Sequence, residues 1–362
     1  MAARTEASAA APVPATRPVA RPTVLRPRQL MIALAGLLGA VIAGISVGPA
    51  GMPLGKVMLA LIDRLPVIHV RSGLSPIDDA ILWQIRAPRV VLGGLVGAML
   101  ASAGASYQGA FRNPLADPYL LGVAAGAGLG ATIVVATVAD PASWPIDPVP
   151  LAAFAGGLVA AAATYVLGRS ARRRNAGTLI LAGVAVAAFF TAAQSYVQQQ
   201  HVQTLREIYS WILGGLSTAG WRQVILILPY VGASAVALIL HRRLLDVMSV
   251  GDEEAEGLGI RASRVRVGVV VAATLGTAAA VSVSGLIAFV GIIVPHTIRL
   301  IVGTSYRRIL PLSVLWGAAF LILADLVART AAQPAEIPIG VITAFVGAPF
   351  FLLVLRSARA DA

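Results

Sequence analysis

Apolar runs long enough to cross a bilayer recur throughout this chain, and they leave few folds open to it. A spanning helix needs about 20 mostly apolar residues. Runs near that length lie at 30–47, 89–109, 119–138, 149–168, 178–199, 222–240, 265–283, 286–302, 309–328 and 339–355. Of the 362 residues, 58% are hydrophobic and 12% charged, whereas soluble domains carry about 25% charged residues. The solvent for so much apolar surface is lipid. Long alternating polar and apolar stretches are absent, which argues against a lipid-embedded β-barrel. The sequence therefore predicts an all-α polytopic membrane protein with about ten transmembrane helices.

The formal charge of +12 would point to nucleic acid in a soluble protein. Here the basic residues fall between the apolar runs and report topology instead, so no nucleic-acid partner is expected. Ten spans put both termini on one side. If that side is cytoplasmic, twenty of the 28 Lys and Arg lie inside; Lys56, Arg64, Arg71, Arg86, Arg89, Arg206, Arg222 and Arg329 lie outside. Residues 1–29, rich in Ala, Pro, Thr and Arg, read as a disordered cytoplasmic tail, and 30–356 as one transmembrane domain. The run at 30–47 exceeds the core of a signal peptide and reads as a retained span. Pro229 and Pro295 fall inside spans, where neighbours must satisfy the carbonyls that proline frees. Glycines four apart, as in Gly93 and Gly97 or Gly122, Gly126 and Gly130, let helices approach closely. Ile85-Arg-Ala-Pro-Arg-Val90 is echoed by Ile260-Arg-Ala-Ser-Arg-Val265 at the start of a span running the other way, as in an inverted repeat.

Several chemistries are excluded. No cysteine is present, which removes thiol catalysis, disulfides and cysteine-held metals. Gly51-Met-Pro-Leu-Gly-Lys-Val57 has the wrong glycine spacing for a phosphate loop and lacks its Ser or Thr. His69, His201, His241 and His296 have no ligand-spaced partners. No catalytic residue, metal site or bound cofactor is expected. Asp325 is the one acidic residue within a span, near its outer end, which disfavours an ion-coupled secondary transporter.

Four local features remain. Gly251-Asp-Glu-Glu-Ala-Glu-Gly-Leu-Gly-Ile260 predicts a short cytoplasmic helix. Asp252, Glu253 and Glu254 suit its positive N-terminal end, Glu256 and Leu258 follow, and Gly257 and Gly259 stop it. It reads either as a solvated loop helix or as a coupling helix that docks in a groove on an ATPase. Arg86, Arg89 and Arg329 sit at the outer surface, either snorkelling or forming a cationic ring for a partner's carboxylates. Arg112-Asn-Pro-Leu-Ala-Asp-Pro118 is a polar turn at the cytoplasmic end of the second span. Gln194, Ser195, Gln198, Gln199 and Gln200 place uncharged polar groups on one span, where they face a wet cavity or another helix.

Together these stretches resemble the FecCD family of ABC importer permeases, which serve siderophores, haem and vitamin B12. The resemblance is carried by Gln84-Ile-Arg-Ala-Pro-Arg89; Gln108 through Phe111-Arg-Asn-Pro-Leu-Ala-Asp-Pro118 to Leu121-Gly122; Trp211-Ile-Leu-Gly-Gly215; Gly251-Asp-Glu-Glu-Ala255; Gly285-Leu-Ile-Ala-Phe-Val-Gly291 with Val294-Pro-His296 and Arg299; Ala324-Asp-Leu-Val-Ala-Arg329; Glu336-Ile-Pro-Ile-Gly340; and Gly347-Ala-Pro-Phe350. It implies an inner-membrane homodimer with one pathway on its two-fold axis. Two ATPase subunits, which use ATP and Mg, would lie below, and a periplasmic binding protein above. Arg86, Arg89 and Arg329 would then receive acidic residues of the binding protein. Asn113 and Leu115, with Asn175, Ala176 and Gly177, would narrow the cytoplasmic exit, although some relatives carry Ser or Thr where Ala176 and Gly177 stand. Gln194, Ser195 and Gln198 would line the pathway. The likeness is nearest to the haem-import branch, which makes haem the expected cargo, with a ferric siderophore or cobalamin as the alternative.

Overall fold

The computed structural model describes residues 24–64, 70–140, 144–170 and 176–360. These residues fold into fourteen α-helices with no β-strand among them. They are α1 (Pro27–Ser46), α2 (Leu54–Asp63), α3 (Pro76–Ala80), α4 (Ala87–Phe111), α5 (Val123–Thr137), α6 (Pro148–Ser170), α7 (Ala176–Gln200), α8 (Leu205–Ile212), α9 (Trp221–Met248), α10 (Asp252–Gly257), α11 (Ala262–Ser284), α12 (Val290–Val302), α13 (Tyr306–Thr330) and α14 (Ile339–Ala360). Each of the ten predicted runs contains one helix. Seven of the described helices are long and apolar enough to cross a membrane, and Val123–Thr137, Val290–Val302 and Ile339–Leu352 are shorter apolar ones. The multi-pass architecture holds; the count of ten depends on these three.

The centre of the bundle is α4, which is apolar on every face and therefore suits enclosure. It is surrounded by α9, α11, α12 and α13, and most of its residues are buried. A second layer, α5–α6–α7, joins the centre through α11, while α1 lies on α13. Close approach depends on glycine at particular crossings. A Cβ on Gly97 would strike the backbone of Gly317, and one on Gly126 would strike that of Gly156. Here the small-residue spacing in the sequence serves packing without a hydrophobic driving force between helices.

Element ends differ from expectation for physical reasons. α1 starts at Pro27 rather than residue 30, because proline at the first helical position gives up an N–H that had no partner there. The helix thus begins inside the stretch 1–29 predicted as a tail, and residues 1–23 of that stretch lie outside the described ones. α9 continues to Met248, beyond the predicted end at 240, with Asp246 accepting from the Ser305 hydroxyl at 2.9 Å and the Tyr306 N–H at 2.5 Å. The predicted span 286–302 loses its start: 285–289 is non-helical and Phe289 has a left-handed φ of 71°. Irregular backbone at such depth must be satisfied by protein. The Tyr119 hydroxyl donates to Ile287 O at 3.0 Å and lies 3.1 Å from Ile287 N–H, while Gly215 N–H donates to Ser284 O at 2.8 Å. The short helices α2, α3 and α8 fall outside the predicted runs.

Candidate docking, coupling and pathway surfaces

At the outer end, α3 runs into α4 through a widened π-helical turn, Ile81–Arg86. In such a turn the carbonyl of Trp83 would meet the N–H of residue 88, which is a proline without one. The Trp221 indole N–H donates to Trp83 O instead, at 2.8 Å, joining the outer ends of α4 and α9. The same turn aims Arg86 at the end of α1. Arg86 Nη1 donates to Ile45 O at 3.1 Å and Ser46 O at 2.9 Å, and Nη2 donates to Ala50 O. Arg329 Nη2 donates to Gly44 O. Two guanidinium groups thus cap the negative C-terminal end of α1, whose last carbonyls have no helical partners.

One turn further along, Arg89 forms a double fork. Its Nε and Nη2 donate to Asp325 at 3.0 and 2.8 Å, and its Nη1 and Nη2 donate to Glu336 Oε1 and Oε2, both at 2.9 Å. Asp325 also lies 3.5 Å from Arg329 Nε, four residues on. Arg86, Arg89 and Arg329 are 3%, 7% and 3% exposed. The structure therefore brings the three predicted arginines together, but inside the chain rather than as an open ring. A partner's carboxylate would have to exchange with an internal acceptor. Arg89 and Glu336 do border a cavity of about 260 Å³ between the 214–217 loop and the start of α14, where such an exchange has room. The sequence motif around Glu336 assigns it no role; its partner is 247 residues away, and local spacing carries no sign of it.

At the cytoplasmic end, α10 forms where predicted. Asp252, Glu253 and Glu254 occupy its first turn. Gly251 (φ 157°) precedes it and Gly259 (φ 80°) stops it, both in backbone that favours glycine. Glu256 is exposed, and Leu258 and Val250 stand out at 71% and 69% exposure, which leaves an acidic helix flanked by two bare apolar side chains. Asp252 pairs with Arg266 of α11, whose Nη2 donates to both carboxylate oxygens at 3.0 and 2.9 Å, and lies 3.6 Å from Arg112.

The polar turn follows α4 directly. Arg112 closes the helix in a left-handed conformation (φ 50°). Asn113 Oδ1 accepts from Leu115 N–H at 3.0 Å, a self-contained turn that leaves Leu115 exposed. Asp117 then accepts from Tyr119 N–H at 2.8 Å. Burial pushes the Asp117 carboxyl up to about 6, and the Tyr119 backbone bond opposes the shift without cancelling it. Asn175 lies outside the described residues, Ala176 is described only as the start of α7, and Gly177 is exposed in the first turn.

The predicted pathway residues divide. Gln194 is buried, and its Nε2 donates to Thr132 Oγ1 at 3.1 Å, holding α7 to α5. Ser195 is exposed and donates to Thr191 O at 3.0 Å, and Gln198 is half-buried. Little of α7 is buried, with Phe189, Tyr196, Leu181 and Val184 bare on it. An apolar cavity of about 560 Å³ opens beside Leu286, Ala288 and the α14 residues Val341, Ala344 and Phe345. Among the described residues, no group of three His, Cys, Asp or Glu is placed to hold a metal ion.

A family model for the FecCD transport family matches residues 36–357. The chain belongs to the FecCD transport family. It is 39% identical over 326 residues to the uncharacterized ABC transporter permease protein YvrB of Bacillus subtilis, covering 90% of this chain and 92% of YvrB. It is 42% identical over 288 residues to the cobalamin import system permease protein BtuC of Halobacterium salinarum, covering 79% and 76%. It is 37% identical over 281 residues to the hemin transport system permease protein HmuU of Yersinia pestis, covering 76% and 83%. Among solved structures, an inward-facing metal-chelate type ABC transporter superposes with a TM-score of 0.79 at 26% identity, covering 92% of this chain and all of that one. This FecCD chain is a multi-pass ABC permease of a transport family rather than an enzyme family.

Proposed function

We propose that this chain is the membrane-spanning subunit of an ATP-driven importer that carries haem across the bacterial inner membrane. The observation that carries the reading is the FecCD match over residues 36–357. Relatives named for hemin, cobalamin and ferric citrate import extend across most of the chain, and all three cargoes are large metal-bearing ligands. In this reading two copies meet along the bare faces of α7 and α14, and cargo passes between them beside Ser195 and Gln198. Two ATPase subunits seat against α10, with Asp252, Glu253, Glu254, Glu256 and Leu258 as the contact, and hydrolyse ATP with Mg. A periplasmic binding protein seats over the outer arginine knot, its carboxylates exchanging with Glu336 on Arg89 and reaching Arg86 and Arg329. Asn113 and Leu115, with Asn175, Ala176 and Gly177, narrow the exit.

Haem as the cargo is supported by the resemblance to haem-import permeases and by aromatic, uncharged side chains on the bare faces, Phe189, Tyr196 and Phe345 among them. These offer a flat apolar macrocycle weak contacts that it can leave, as conduction requires. Cobalamin is the second reading, favoured by the 42% identity to a cobalamin permease. Proteoliposomes holding the complete complex separate the two. Haem, cobalamin and ferric citrate are offered in turn, each by its binding protein. Accumulation of haem is expected; accumulation of cobalamin with none of haem would replace the cargo and keep the permease.

A further inference from the structure

We propose that Arg266 is a positioning residue that transmits movement of α10 to the cytoplasmic end of α4 and the polar turn beyond it. The proposal rests on α10 being the ATPase contact, and adds the route by which its motion reaches the spans.

The geometry is a bridge with one guanidinium as its keystone. Arg266 stands on the second turn of α11. Its Nη2 holds both oxygens of Asp252, the first residue of α10. Its Nε donates to Ala110 O at 2.9 Å, in the last turn of α4, where carbonyls have no helical partner. α10 packs on α9 and α11, and its polar ties to α4 run through Asp252, by way of Arg266 and, at 3.6 Å, Arg112.

Beyond Ala110 the connection is stiff. Asn113 N–H donates back to Gln108 O at 3.1 Å and Ala116 N–H to Asn113 O at 3.0 Å. Gln108 is gripped from α12, accepting from Arg299 at 2.9 Å and donating to Gly291 O at 3.1 Å. The last turn of α4 and the turn carrying Asn113 and Leu115 thus form one hydrogen-bonded unit. A displacement of α10 pulls on it through Arg266. The planar fork explains the residue type: arginine presents separate donors to a carboxylate and a carbonyl at once, and a lysine ammonium has no second arm in fixed register.

The test uses the whole importer in proteoliposomes, with haem, cobalamin and ferric citrate as probes. It measures ATPase retained on the permease, ATP hydrolysed, and cargo moved per ATP. Arg266→Lys keeps the charge and the aliphatic stem and drops the bond to Ala110 O. Arg266→Ala drops both contacts. In both variants the ATPase is expected to stay bound and hydrolysis to continue, while cargo moved per ATP falls about 2- to 30-fold, the range for residues that carry coupling without touching either ligand. Should Arg266→Ala fail to fold, Arg266→Lys still decides the matter. An unchanged ratio of cargo to ATP in Arg266→Lys would overturn the proposal, including the case where both rates fall in parallel. Leu258→Glu is the separate check on the reading beneath it. Loss of the bound ATPase supports α10 as the contact, and full retention with normal transport would remove that contact and the proposed route with it.

Discussion

Pro295 has no N–H to give, so the carbonyl four residues earlier, on Gly291, loses its helical partner. Gln108 Nε2 takes that carbonyl from α4 and uses its own Oε1 to hold Arg299. Gln108→Leu therefore strands the buried Gly291 carbonyl and the half-buried Arg299 guanidinium, and should lower stability by about 1–3 kcal/mol, read as a lower melting temperature of the permease in detergent. Asp117 gives a pH-dependent effect with a definite sign. Its folded carboxyl titrates at about 6, above its ordinary 3.8, so the folded state binds the proton more tightly. Its contribution to stability is then fully present below about 4 and is lost as pH rises through 6. Asp117→Asn keeps an acceptor for Tyr119 N–H and should flatten melting temperature against pH over that window; an unchanged slope would assign it to other groups. The proline inside a span was legible as a local sequence fact. Its rescue by Gln108 was not, because the partner lies 183 residues away and nothing local encodes the distance.

Helices were legible in proportion to their apolar length. The ten long runs appear as helices because burial in lipid or protein decides their extent. α2, α3 and α8 were missed because at five to ten residues they are set by neighbours rather than by a bilayer. α10 was found despite its brevity, because acidic residues at its start and glycines at its end are local signals. The outer arginines show the limit of such reading. Their residue types and their place at the ends of spans were visible, but the end of α1 that receives Arg86 and Arg329 is a tertiary fact. The knot also predicts an order of effects. Arg89→Ala strands Asp325 beside a single remaining arginine and frees Glu336, and should cost about 3–5 kcal/mol, the range for breaking a buried pair. Arg329→Ala leaves Asp325 held by Arg89 and should cost less, about 1–3 kcal/mol. Thermal unfolding of the two variants side by side checks the order, and equal losses would contradict it.

For the whole molecule, the informative contrast is between α4, enclosed on all sides, and α7, which presents most of its surface outward. An outward apolar span is ordinary against lipid. Beside a bare α14 and an apolar cavity of about 560 Å³, it is also the face expected to meet a second copy around a pathway. Composition gave the membrane and the motifs gave the family; neither gave that face, since lipid and a partner helix ask for the same residues. The energy source is the core of the account. Asp325, the carboxylate that the sequence places inside a span, is already clamped by Arg89 and Arg329 and offers ion coupling no free group. The decisive measurement is cargo accumulation in proteoliposomes holding the permease, its ATPase and a loaded binding protein, with ATP on the α10 side or an ion gradient in its place. Accumulation that requires ATP hydrolysis and ignores the gradient is the predicted result; accumulation driven by the gradient without ATP would contradict it.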